Sequence, residues 1–170
     1  MTLTTDNRAF ELTRGFSDFL VVFGNPRAYG AEGDPLLQEW LYPVAPPDLA
    51  AQVGGAHDRL AHRLIDVSTH RAGWAHLFDG LGVLPTSAQN VFADNTIMAL
   101  AMAREGGAVA LARVPASDKA VEEAGLVPCL PDAEGPGLEG YHLVYPDCGA
   151  LRPPARAFRS WLLHCCGSIA

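Results

Sequence analysis

The sequence predicts an α/β fold with largely parallel strand pairing, and three observations carry that expectation. Short apolar runs alternate with stretches of helical spacing along the chain. Residues 19–23, Phe-Leu-Val-Val-Phe, are apolar without a break, as in a strand covered on both faces. Hydrophobic residues make up 49% of the 170 and charged residues 18%, enough to bury a core and too little charge for a disordered chain.

The elements follow in order. Residues 19–23 are expected to be a buried strand, central in a parallel or mixed sheet. Asn25, Pro26, Gly30, Gly33, Asp34 and Pro35 read as a loop. Residues 36–44 suggest a second strand, interrupted by Gln38 and Glu39 and ended by Pro43, Pro46 and Pro47, since proline cannot donate to a ladder. Residues 48–53 make one helical turn before Gly54 and Gly55. Leu64–Val67 is a short strand. Trp74, Leu77, Phe78 and Leu81 recur at helical spacing, and Gly82 stops that helix.

Asn90–Ala93 is a further strand. Asp94 is the expected cap of a helix running to about Glu105, with Ile97, Leu100, Ala101 and Arg104 on one face and Gly106-Gly107 as its end. Residues 108–112 form a buried strand. Ser117 caps a helix reaching Ala124. Residues 126–130 form a strand, 132–140 a Gly- and Glu-rich loop, and 141–145 an alternating strand. A final helix covers 154–165, with Phe158, Trp161 and Leu162 as its apolar face.

Charge and motif content narrow the function. The net charge is −7, and the 12 Lys and Arg are scattered, so no basic footprint for nucleic acid is present. No apolar run is long enough for a signal peptide or a membrane span, which points to a cytoplasmic protein. Cys129, Cys148, Cys165 and Cys166 form no C-x-x-C pair and read as free thiols. His57 and His62, and His70 and His76, are not spaced for one helix face, so no metal site is expected. Phosphate-loop, dinucleotide and nucleophile-elbow motifs are absent, so no catalytic residue and no cofactor are assigned.

Binding chemistry is weaker but present. Asp94-Asn95-Thr96 opens a helix directly after a strand, where free N–H groups and the dipole favour an anion; simple capping is the plainer reading. Gly24-Asn25 also follows a strand, and ligands of open α/β sheets bind beyond such carboxyl ends.

The ordered segments resemble a known family. Residues 17–24, Ser-Asp-Phe-Leu-Val-Val-Phe-Gly, resemble a strand of LysR-type effector domains in which Asp opens an apolar run ending in Gly. Residues 36–49, with Trp40, Pro43, Pro46 and Pro47, look like the segment that crosses into the second lobe. Residues 71–82, with Trp74, resemble the Trp-bearing helix of the subgroup that includes glycine-cleavage and β-lactamase regulators. Residues 101–111, ending Glu-Gly-Gly-Ala-Val-Ala-Leu, are similar to the family's A-x-x-G-x-G-V-A-L core. Residues 141–146 and 157–162 resemble its closing strand and helix.

The resemblance covers about residues 3–163. It implies a two-lobed α/β domain of the type 2 periplasmic-binding-protein kind, with lobe I from 1–43 plus 147–170 and lobe II from 44–146. It implies a chain without the family's winged helix-turn-helix, its linker helix, and the first strand and helix of the effector domain, residues 3–5 looking like that domain's second strand. The expected partner is a small effector, an organic acid or amino-acid-like compound. Its expected contacts are Gly24, Asn25, Asn95, Thr96, Arg113 and Tyr141, although Arg113 could equally pair with Glu122 or Glu123. A homo-oligomer, with no direct nucleic-acid contact and no membrane, is expected. The competing readings are a stand-alone interaction protein pairing through an exposed sheet edge, and an enzyme of unknown class.

Overall fold

A computed structural model describes residues 17–29, 32–53, 62–82 and 90–167. The expected strand at 3–5 and the Gly54-Gly55 stop lie outside them. The chain forms two compact units: residues up to Gln38 with those from Glu139 onward, and Glu39–Leu138.

Seven strands are found among the described residues: β1 (Leu20–Phe23), β2 (Glu32–Ala45), β3 (Leu64–Val67), β4 (Asn90–Ala93), β5 (Val109–Val114), β6 (Val127–Pro128) and β7 (Gly135–Tyr145). The helices are α1 (Pro47–Ala50), α2 (Trp74–Gly80), α3 (Thr96–Gly106), α4 (Asp118–Glu123) and α5 (Pro153–Gly167), with 3-10 turns at Pro26–Tyr29 and Pro131–Ala133. The long strands β2 and β7 are neighbours, and each runs from one unit into the other.

In the unit Glu39–Leu138, β3 lies between β4 and β5 and is parallel to both. Each parallel step needs a crossover, which α3 supplies between β4 and β5. β2 runs antiparallel to β5 and β6. Alternation along the strands sends side chains to two faces. Leu41, Leu64, Val109 and Leu111 pack with Trp74, Leu77 and Phe78 of α2. Val44, Ile65, Val67, Ala110 and Ala112 pack with Ala99, Leu100 and Ala103 of α3 and with Val121 of α4. The small alanines on the second face leave room for α3 to seat closely. Trp74, fully buried, spends its one donor on the Ile65 carbonyl at 2.9 Å, so its large apolar area is buried without an orphaned N–H.

In the other unit, β1 pairs antiparallel with β7, Phe23 opposite Tyr141. Leu143, Tyr145, Leu151 and Ala155 form its core with Phe19, Leu36 and Leu162. Asp34 on β2 takes a two-pronged hydrogen bond from Arg159 on α5, both arms 2.6 Å. That geometry pins the helix to the strand.

The structure corrects several expectations. Pairing is mixed: β1 with β7 and β2 with β5 and β6 are antiparallel, while β3 is parallel to β4 and β5. Alternation of strand and helix reports a crossover between consecutive strands but not the direction of strands that pair after a long excursion. Among the described residues β1 stands at the end of the strand order rather than its centre, and Val21 is 60% exposed. β2 begins at Glu32 and continues through Pro43, whose carbonyl accepts from Cys129 N–H at 3.0 Å. A proline that need not donate at its position leaves the ladder intact. Residues 135–140, expected as loop, are the first half of β7. Their glycines answer to β2: a Cβ on Gly140 would come within 2.7 Å of the Leu37 carbonyl oxygen.

The cap of α3 is Asn95, not Asp94, and the helix buries Ala99, Leu100 and Ala103, leaving Ile97 58% exposed. Ser117 makes no side-chain cap on α4. β6 spans two residues rather than five. On α5 the buried residues are Ala155 and Cys166, while Trp161 is exposed.

Candidate functional site

In the unit Glu39–Leu138 the candidate residues Asn95 and Thr96 stand beyond the carboxyl end of β4, beside that of β3. The Asn95 side chain accepts a hydrogen bond from Met98 N–H at 2.9 Å and donates to the Asp94 carboxylate at 2.9 Å. This satisfies one donor of the first turn of α3, whose initial N–H groups have no intrahelical acceptor. Thr96 is the first residue of the helix and is half-buried.

The loop after β3 is tied to this helix start. Ser68 donates its amide and its hydroxyl to the Ala93 carbonyl, at 3.0 and 3.2 Å. The Thr69 hydroxyl donates to the Asp94 carbonyl at 3.1 Å. The same loop ends at Gly73, where Asp66 accepts from Trp74 N–H at 3.3 Å.

Arg113 sits at the end of β5 and is only 3% exposed. It does not pair with Glu122 or Glu123; Glu123 faces Lys119 at 3.6 Å. Its Nη1 donates to Glu39 Oε2 at 2.8 Å, and its Nη2 donates to the Ala72 carbonyl. Its Nε is buried without an acceptor in the protein. The turn beyond it is closed by Ser117, whose hydroxyl accepts from Arg113 N–H at 2.6 Å and donates back to the Arg113 carbonyl. His70 lies in the same loop. Burial first, and the Arg113 charge second, lower its pKa from 6.5 to about 4.

The other unit brings Gly24, Asn25 and Tyr141 together. Gly24 has φ +95 and donates its amide to the Gly140 carbonyl at 3.0 Å. Only glycine takes that conformation at little cost. Asn25 turns the chain by accepting from Arg27 N–H at 3.0 Å. The Tyr141 ring packs on Phe23, centroids 5.1 Å apart.

Of the six residues expected from sequence, three therefore fall in each unit. Asn95 and Thr96 are adjacent at a helix start, and Arg113 is linked to the same loop through Ala72. Sequence reading missed Glu39, Ser68, Thr69 and Ala72. Glu39 did leave a signal: an acidic residue inside an apolar strand needs a partner. Among the described residues no group of three or more His, Cys, Asp or Glu could hold a metal ion.

Comparison with known proteins agrees with this architecture. The family model described as "LysR substrate binding domain" matches residues 1–166. AmpR, an HTH-type transcriptional activator of Pseudomonas aeruginosa, is 30% identical over 166 residues, covering 95% of this chain and 54% of AmpR. PerR, an HTH-type transcriptional regulator of Escherichia coli, is 27% identical over 148 residues, covering 86% of this chain and 50% of PerR. The chain thus spans about half the length of the curated relatives it matches.

The effector domain of Pseudomonas aeruginosa AmpR superposes with a TM-score of 0.78 at 23% identity, over 98% of this chain and 81% of that one. The AmpR effector binding domain of Citrobacter freundii gives 0.75 at 21%, over 95% and 80%. The fold is therefore the type 2 periplasmic-binding-protein-like fold of these domains. Family model and fold agree, and the chain belongs to the LysR substrate binding domain family as an effector-binding domain of LysR-type transcriptional regulators.

Proposed function

We propose that this chain senses a small organic acid or amino-acid-like compound on behalf of a transcriptional regulator, without itself contacting nucleic acid or catalysing a reaction. The supporting observation is the start of α3. Asn95 and Thr96 lie there at a helix start, whose first amides have no intrahelical acceptor, and Ser68 and Thr69 lock the neighbouring loop in place. A carboxylate suits that arrangement, because the dipole and the amides favour negative charge. Asn95 and Thr96 are the proposed contacts in the unit Glu39–Leu138, with Arg113 behind them; in the other unit, taken by itself, Gly24, Asn25 and Tyr141 are proposed. The proposed lobes are 1–43 with 147–170, and 44–146. Among the described residues no helix is long and apolar enough to cross a membrane, in keeping with a cytoplasmic role.

A thermal-shift screen of C2–C6 carboxylic acids and amino acids tests the reading. A compound that raises Tm is expected to lose ~1–3 kcal/mol of binding, roughly ten- to a hundredfold in Kd, on Asn95→Ala or Thr96→Ala. Unchanged affinity in both variants would place the site elsewhere.

Self-association is a second proposal. Phe92 and Ile97, on β4 and α3, are 62% and 58% exposed, and exposed apolar surface of this kind favours pairing. Sedimentation at high micromolar concentration is expected to show more than a monomer; a monomer there contradicts it.

A further inference from the structure

Arg113 is the one basic side chain the proposed site contains, yet at 3% exposure it is poorly placed to meet a ligand from solvent. Its two terminal nitrogens are already committed. One holds Glu39 on β2, and the other holds the Ala72 carbonyl in the loop between β3 and α2. The Arg113 and Glu39 side chains are 4% and 1% exposed, so both charges have lost their water. A buried ion pair of this kind is seldom the most stabilising choice, since apolar residues of similar volume do as well or better. What the pair adds here is geometry. A guanidinium is a rigid fork, and this one joins three segments: β2, β5 and the loop 68–73.

That loop is also the one whose other end is fastened to the start of α3 through Ser68 and Thr69. One end is thus held by the helix start where the effector is proposed to bind, and the other by Arg113. We infer that Arg113 is a positioning residue, which acts on the effector through loop 68–73 rather than by contact. Glu39 orients the fork, and the Ala72 carbonyl transmits it. The inference rests on the site proposed above, but its main test does not need a ligand.

Arg113→Lys keeps a buried positive charge beside Glu39 but loses the fork, so it cannot hold Glu39 and Ala72 together. Glu39→Met/Arg113→Met removes both charges and guards against a single variant that fails to fold. Hydrogen exchange reads the loop through the amides of Ser68 and His70, bonded to Ala93 and Val67, and of Trp74, bonded to Asp66. In both variants these amides are expected to exchange at least about tenfold faster, while β3, β5 and α5 keep their protection and Tm changes little, the pattern of a local opening.

Wild-type exchange in the loop overturns the inference. So does a uniform loss of protection across the unit, which would make the pair merely structural. Any compound found in the screen supplies a second readout: it is expected to bind both variants about tenfold more weakly. If the loop loosens and affinity holds, the effector is not read through this loop and the inference fails. If the loop loosens and affinity falls while Asn95→Ala and Thr96→Ala bind normally, Arg113 positions the loop and it is the helix-start site that fails.

Discussion

Gly137 on β7 lies so close to Glu39 on β2 that a Cβ on the glycine would overlap the glutamate side chain. Glu39 cannot step aside cheaply, because it is buried and held by Arg113 at 2.8 Å. Gly137→Ala is therefore expected to destabilise the protein by about 1–3 kcal/mol, the usual cost of overpacking. Urea unfolding measures it, and a midpoint equal to that of the wild type would show that Glu39 has room to move.

Breaking the pair is predicted to cost more than deleting it. Arg113→Met leaves the Glu39 carboxylate buried without its guanidinium partner, which costs about 3–5 kcal/mol. Glu39→Met/Arg113→Met leaves no charge behind and is expected to fall within about 1.5 kcal/mol of the wild type. A double variant as unstable as the single one would mean that the ion pair itself, rather than the avoidance of a lone charge, supports the fold.

His70 predicts a pH dependence. Its pKa is 6.5 in the unfolded chain and about 4 when folded, because burial and then Arg113 oppose its protonation. Between those values the unfolded state holds the additional proton, so stability falls as pH falls through this window and is complete above it. His70→Gln is expected to have a flatter Tm profile from about pH 6.5 to 4 than the wild type. Parallel profiles would contradict the assignment.

Asn95 has a stabilising role separable from ligand binding. Its side chain caps α3 through Met98 N–H, so Asn95→Ala is expected to cost about 0.5–2 kcal/mol without any ligand, and Asn95→Asp much less. Thermal unfolding of the three proteins gives the comparison. Equal losses in both variants would show that the Asp94 contact, not the cap, is what matters.

These residues also show what could be read from the chain and what could not. The strands Leu64–Val67 and Asn90–Ala93 occur where their apolar runs predict them, and the Trp74 helix follows from a spacing of three and four. Asn95 and Thr96 could be singled out because a polar pair after a strand marks a helix start locally. The family could be recognised because the order of such local segments is itself a pattern, and the matched family model spans the same stretch.

Other features depended on partners distant in sequence. Residues 135–140 look like loop by composition, yet they are strand because β2 lies beside them and admits glycine where it crowds closest. Strand direction was likewise beyond a local reading, since β2 meets β5 only after β3 and β4 have intervened. Arg113 shows the limit most clearly. Its local neighbours offered Glu122 and Glu123, but its partner stands 74 positions earlier, in β2. Hydrophobic period and capping chemistry act over a few residues, so the sequence alone determined elements such as β3, β4 and the Trp74 helix, and the region where α3 starts. Burial of a charge is decided by what the whole fold brings to it, so only the tertiary structure decided that Arg113 faces Glu39 and Ala72 instead of solvent.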